Sequence, residues 1–358
     1  MADEIQDDLK IEDDFQEDEI LISYDIATYP SDFTLDGLYN MWLDDDIIIP
    51  DFQREFVWTI KQSSLLIESF LLGLPVPPVF FYIDEENKSL VIDGQQRILS
   101  FCFYFEGYFG FESTLGKRQV FRLHGLDERN PFHNKKFSDL TDSNQRKLKN
   151  TVLRAVNIRQ LSPKGDNTSI YHIFERLNTG GTPLKPQEIR NCVFRGNIVS
   201  MLRDLNKNEY WRKILGKKPF DKHQKDVELV LRTFALSRDW SSYEKPMKQF
   251  LNEVMMQHRK GEGQKTKRFV KEFPETARFI VENLGEKPFH VRGPLNSSVL
   301  DSVFCTIMDN IDKIPTNLPD RYKELLATNE FSELTSLGTT DRNVLTNRFK
   351  LVKKYLIE

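Results

Sequence analysis

The sequence predicts an α+β fold in which a mixed front half is followed by an all-helical back half. Two observations carry this. Short β-branched and aromatic runs closed by Pro, Gly or Asp recur as far as Val152–Arg159. Beyond Gly196 the apolar residues keep helical spacing instead, to the end of the chain. With 358 residues, 39% of them hydrophobic, the chain has material for one sizeable core or two modest ones. The expected organisation is an acidic disordered tail over 1–20, an α+β domain over 21–195 and a helical domain over 196–358.

Taken in order, Leu21–Tyr29 is a short apolar segment closed by Pro30-Ser31-Asp32, and Thr34–Leu43 reads as a short helix. Ile47–Ile49 stops at Pro50, as an edge strand would. In Ile60–Leu72 the apolar positions fall at helical spacing, and Gly73 with the prolines at 75, 77 and 78 ends the run. Val79–Ile83 and Ser89–Ile92 form two strands around a turn at Asp84–Lys88. Asp93-Gly94 breaks the second strand, and Gln95 opens an aromatic-rich helix to about Phe105. Gln119–Leu123 and Val152–Arg159 supply further strands. Tyr171–Leu177 is helical, 178–183 is a loop, and Pro186–Phe194 is a helix with proline in its first turn. In the back half, loops near Gly216, Gly261, Gly285–Pro294 and Pro315–Pro319 divide amphipathic segments. The last, Val344–Ile357, sets Leu345, Phe349, Val352 and Leu356 on one face.

Composition narrows the function classes. No apolar run reaches the length that spans a bilayer, and the N-terminus is acidic rather than basic-then-apolar, so neither a membrane partner nor a secretory signal is expected. Cys102, Cys192 and Cys305 are far apart and odd in number, and none of the six histidines forms a His-x-x-x-His pair. A disulfide framework and a zinc site are therefore not expected, and a reducing cytoplasm is the expected location. Residues 1–20 hold ten acidic groups against one lysine, leaving 49 basic and 44 acidic residues in the remainder. Such a tail reads first as a solvated disordered segment, and alternatively as a competitor of nucleic acid for a basic surface.

The residues that carry chemistry are Asp93-Gly94-Gln95-Gln96-Arg97. Glycine permits a tight exit from the strand and a close backbone approach to a ligand. The helix start offers backbone amides and a partial positive charge to an anion. Arg97, one turn inside, can grip a phosphate with a forked contact. Asp93 can hold Mg2+ or orient a water, and Gln95 or Gln96 can position that water. The same residues also make an N-cap aspartate, a turn glycine and a polar first turn, which need no ligand. Two rival motifs fail. Gly110 to Gly116-Lys117 has one residue too many for a Walker A loop and is followed by Arg118. Pro50-Asp51 with Glu86-Asn87-Lys88 fits a loose nuclease pattern, but Glu86 and Lys88 fall in a hairpin turn that would not hold them beside Asp51.

Five ordered blocks give a family resemblance. They are Phe52-Gln53-Arg54-Glu55-Phe56-Val57-Trp58, Leu66–Gly73, Pro75-Val76-Pro77-Pro78, Ile92–Arg97, and Phe174–Leu184 with Glu188-Ile189-Arg190 beyond. Over roughly residues 20–240 the chain resembles the N-terminal domain of the GmrSD family of modification-dependent endonucleases, itself similar to the ParB/sulfiredoxin nucleotide-binding fold. The resemblance implies nucleoside triphosphate binding and hydrolysis at Asp93, Gln95, Gln96 and Arg97, with Gly94 against the nucleotide. It implies Mg2+ held by Asp93 and Glu175, and nucleotide contacts from Arg54, Trp58 and Asn178. Trp58 also reads as a core residue, and Arg190 as half of a buried ion pair. Residues 240–358 lack the histidine and asparagine pattern of an HNH nuclease. Cutting would then fall to a separate nuclease subunit, in a restriction or anti-phage defence system. The alternative is a non-catalytic adaptor that responds to nucleotide or DNA and recruits that nuclease.

Overall fold

The computed structural model describes residues 9–12, 25–49, 56–111, 118–162, 169–170, 173 and 185–358, and every structural statement below is made of these. The chain divides into two compact units, Ser23–Pro183 and Met1–Ile22 with Leu184–Glu358. Strand β1 (Ile11–Glu12) belongs to the second unit.

In the first unit, β2 (Asp25–Thr34) leads into α1 (Leu35–Leu43), β3 (Ile47–Ile48) and α2 (Ile60–Leu72). A hairpin of β4 (Val79–Ile83) and β5 (Ser89–Asp93) follows, then α3 (Gln95–Glu106). A small pair, β6 (Tyr108–Phe109) with β7 (Gln119–Val120), α4 (Asp142–Asn150) and β8 (Val152–Ser162) complete it. The sheet order is β2-β8-β4-β5-β3. β2 runs antiparallel to β8, β8 parallel to β4, β4 antiparallel to β5 and β5 parallel to β3.

β2 corrects one expectation. The strand does not stop at Pro30 but pairs with β8 through to Thr34, with Pro30 opposite Val156. β2 lies at a sheet edge, where a residue without an amide donor is tolerated. Ile47–Ile48 is an edge strand, as expected.

Helix α3 is the centre of this unit. Ile98 to Tyr104 are all buried, a run no surface helix would show, because α3 lies among α1, α2 and the small strand β6. Helix α2 is fixed at both ends, by a Thr59–Gln62 capping box and by Gly73 in the left-handed conformation. The hydroxyls of Ser63 and Ser100 hydrogen-bond at 2.9 Å, joining α2 to α3 inside the core.

The second unit is built from α5 (Pro186–Val193), α6 (Asn197–Asn206), α7 (Glu209–Leu215), α8 (Lys225–Leu236), α9 (Met247–Gln257) and α10 (Gln264–Leu284). The two-residue β9 (Leu295–Asn296) then leads to α11 (Ser297–Asp309), α12 (Leu318–Leu326), α13 (Asn329–Leu334) and α14 (Arg342–Leu356). Leu345, Phe349, Val352 and Leu356 are all buried on the inner face of α14, as their spacing predicts.

Two boundaries differ from expectation. Helix α5, assigned to the front domain, groups with the helical unit. The reason is Arg190, 1% exposed, whose Nη1 donates to Glu228 Oε2 (2.8 Å) and whose Nε donates to Asn252 Oδ1 (2.9 Å), tying α5 to α8 and α9. This is the buried ion pair that the sequence suggested for Arg190. The N-terminal tail differs too, since Leu9–Glu12 is ordered and Leu9 lies in the helical core. No described helix is long and apolar enough to cross a membrane.

Candidate functional site

The Asp93–Arg97 segment sits where β5 gives way to α3. Ser89 to Ile92 are buried along β5, and Asp93 is the residue that emerges. The pairing shifts there, because Phe80 lies opposite Asp93 and Phe81 opposite Val91. The resulting bulge bends the strand just before the turn and re-aims its last residue. Gly94 then adopts φ 98° and its carbonyl accepts the first helical bond, from Ile98 N–H (2.9 Å).

Glycine is required here twice over. A Cβ would lie 2.4 Å from Val79 Cγ1, and the backbone angle is one that side-chain-bearing residues rarely adopt. Gly94→Ala is expected to cost about 2–3 kcal/mol in thermal or urea unfolding. Adding Val79→Ala should relieve the clash but not the backbone strain, so a full return to wild-type stability would contradict the strain term.

Arg97 reaches back along the helix to the strand end. Its Nη2 donates to Asp93 Oδ2 (2.8 Å) and to the Pro78 carbonyl (3.1 Å), while its buried Nε has no hydrogen-bond partner. The guanidinium thus stands at the mouth of the turn, 17% exposed against 51% for Asp93, and is not turned into the apolar interior. Gln95 is buried, and its Nε2 also lacks a partner. Two N–H donors therefore remain unspent beside the helix start, at a cost that buried polar groups normally avoid.

Gln96 has a different employment from the expected one. Its Oε1 accepts the Val57 and Trp58 amides at 3.1 and 3.2 Å, so this oxygen anchors the 57–58 backbone to α3 rather than aiming at a water. The Trp58 side chain is half-buried and packs against the core of the α+β unit, in line with its core reading. Arg54, Glu175 and Asn178 lie outside the described residues. The sequence reading missed the Pro78 carbonyl and the Val57–Trp58 amides. Backbone groups have no residue-type signature, although the extended Pro77-Pro78 pair was a hint that a carbonyl would be presented rigidly.

Other chemistry is limited. No group of three or more His, Cys, Asp or Glu is placed to hold a metal among the described residues. Cys102 on α3 is fully buried, and burial pushes its thiol well above the ordinary value, so it is no nucleophile. Glu86 and Lys88 do sit in the β4–β5 turn, where Asp84 Oδ1 accepts the amides of both, and Lys88 Nζ turns to the Asp45 carbonyl. A cavity of about 490 Å3 lies in the helical unit, lined among others by Asp239, Glu244, Gln249, Glu253 and Lys265. Its charges are spent on neighbours, Lys265 on Asp239 (2.6 Å) and Glu244 on Arg342 (3.2 Å).

Fold and site together define a mixed α/β domain whose central helix starts on a left-handed glycine, with an acid and a guanidinium paired across the turn. Residues 36–195 match the family model of the GmrSD restriction endonuclease, N-terminal domain. The chain therefore carries a domain of that family, which spans the α+β unit from α1 onward and ends just past α5. Neither the curated proteins nor the solved structures give a match to the chain.

Proposed function

We propose that the β5–α3 turn binds a nucleoside triphosphate and hydrolyses it, as part of a restriction or anti-phage defence system. The domain family supports the restriction context. The observation that carries the site is the pair of unspent buried donors, Gln95 Nε2 and Arg97 Nε, beside a helix that starts on a glycine. Such donors, with the helix amides, suit an oxyanion. In this reading Arg97 exchanges Asp93 for phosphate oxygen, and the released carboxylate orients the attacking water.

Mg2+ fits as a companion of the triphosphate. Asp93 offers one half-exposed carboxylate, and Mg2+ commonly takes only one or two carboxylates beside phosphate oxygens and waters. When bound it would neutralise charge on the phosphates. On sequence grounds Glu175 would be a second carboxylate, with Arg54 and Asn178 facing the nucleotide. Likeness to the ParB/sulfiredoxin fold belongs to the same proposal.

The test is a panel of ATP, GTP, CTP and UTP with Mg2+, following binding by calorimetry and phosphate release by a coupled assay. Saturable binding of at least one with release of phosphate is expected. Binding without release would leave the adaptor reading, and no binding would remove the nucleotide site and leave only an adaptor that responds to DNA.

A second reading, contact with DNA or recruitment of a separate nuclease, draws on one surface. Residues 195–225 hold nine Lys or Arg against three Asp or Glu. The α7–α8 loop is braced from within by Arg212, which donates to the Lys217 carbonyl (3.0 Å), Asn206 Oδ1 (2.9 Å) and Asp226 Oδ2 (2.7 Å). Outside, Lys218, Lys222 and a 54% exposed Phe220 face solvent. If this loop contacts phosphates, Lys218→Gln with Lys222→Gln should lower the slope of log affinity against log salt by about 2. An unchanged slope would remove the loop from any DNA contact.

A further inference from the structure

We infer that Leu9–Glu12 is an exchangeable strap seated in a peptide-docking groove of the helical unit. The groove would equally accept an extended partner segment with an apolar residue and, three positions on, a carboxylate. This does not depend on the nucleotide reading.

The segment is bound the way a peptide ligand is bound. Leu9 is 3% exposed in the helical core; its amide donates to Asp221 Oδ2 (2.8 Å), and its carbonyl accepts from Lys225 Nζ (3.4 Å). The Lys10 carbonyl accepts from Leu295 N–H (3.3 Å), and β1 pairs in parallel with β9, Ile11 with Leu295 and Glu12 with Asn296. The Glu12 carboxylate is gripped from two sides, by Arg292 Nε (2.9 Å) and Asn296 Nδ2 (3.1 Å). Both of those side chains also hold the Thr335 carbonyl, so the clamp is braced against the end of α13. Main-chain pairing gives attachment, and the two side-chain anchors give selectivity, as in recognition by strand addition.

Exchange follows from how little holds the segment. One leucine is fully inserted, the added strand is two residues long, and the Arg292–Glu12 pair is about one-third exposed on each side. Ordering a chain end costs conformational entropy that these few contacts must offset. Asp7, Asp8, Asp13 and Asp14 flank the segment, and their mutual repulsion favours release. The receiving side supplies Lys225 and Arg292, so the match is electrostatic as well as apolar. Tethering is what keeps the segment seated, because a covalently linked ligand competes at a high effective concentration.

The experiment uses the full chain and a fluorescent synthetic peptide of residues 5–16. In the variant Leu9→Ser/Glu12→Gln the chain's own strap is weakened, and the labelled peptide should bind at least tenfold more tightly than to wild type. A peptide carrying Leu9→Ser should bind neither chain. A variant with wild-type circular dichroism that does not bind the peptide, or equal binding to both chains, would overturn the proposal. Should the double variant fail to fold, Glu12→Gln alone alters only a partly exposed side chain. It should still raise peptide affinity about threefold, and no rise would overturn the exchange. Hydrogen exchange at the Leu295 amide, which donates to the strap's Lys10 carbonyl, should quicken in either variant, and an unchanged rate would count against the proposal.

Discussion

Arg97→Ala is expected to weaken triphosphate binding about thirtyfold, or about 2 kcal/mol, the worth of a charge-assisted contact to phosphate. Phosphate release should fall further, because charge grows on the transferring group as the bond breaks and a fixed guanidinium is worth more there. Stability should barely change. The Asp93–Arg97 pair is partly exposed, and such pairs contribute at most about 1 kcal/mol. Arg97→Lys separates charge from shape, since it keeps the cation but loses the fork that spans Asp93 and the Pro78 carbonyl. It should recover part of the binding and little of the turnover. Asp93→Asn is the complementary test. It releases Arg97 without removing it, so binding should persist while turnover is lost if the carboxylate orients the water. Unchanged binding in Arg97→Ala would place the nucleotide elsewhere.

The second large effect lies in the helical unit and concerns stability. Arg232 on α8 donates to Asp301 Oδ2 on α11 through Nε (3.0 Å) and Nη2 (2.6 Å), with Asp301 fully buried. Arg348 on α14 is also fully buried. Its Nη1 holds the Leu334 and Thr339 carbonyls, and burial pulls its guanidinium down to about 10, still charged at neutral pH. One buried carboxylate thus serves a region that holds two guanidinium groups. Asp301→Ala removes the only negative charge of this trio and should destabilise the unit by about 3–5 kcal/mol. Chemical unfolding followed by the fluorescence of Trp211 and Trp240 would measure it. Replacing the whole trio, Arg232→Met and Arg348→Met with Asp301→Leu, should recover much of the loss, because no charge is then left buried without a partner. A single-variant loss below about 1 kcal/mol would mean that the burial of these charges is not maintained in solution.

The family match and the site geometry bear on different links of the argument. The match concerns ancestry over residues 36–195. The geometry concerns what the turn can do, and it altered the roles suggested by residue type. Gln96 looked like a water-positioning group and instead ties down the 57–58 backbone, whereas Gln95, one residue earlier, keeps a buried donor unspent. Neighbouring positions on a helix point about a hundred degrees apart, so two adjacent glutamines cannot share one task.

By itself the sequence determined the local elements. The β4–β5 hairpin, the glycine break at 94, α2 with its stop at Gly73 and the buried face of α14 all followed from turn chemistry, helix-stop signals and apolar period. Each depends on interactions within a few residues, which a linear pattern records. Tertiary structure alone decided the rest: that β2 continues through Pro30, that α5 joins the helical unit, that Leu9–Glu12 docks beside β9, and that Arg232 meets Asp301. These depend on partners far apart in the chain, 69 residues for Arg232 and Asp301 and 280 for Glu12 and Arg292. No period or propensity marks such a pair. Burial selects it only once the fold has brought both groups out of water, where an unpaired charge would be too costly to keep.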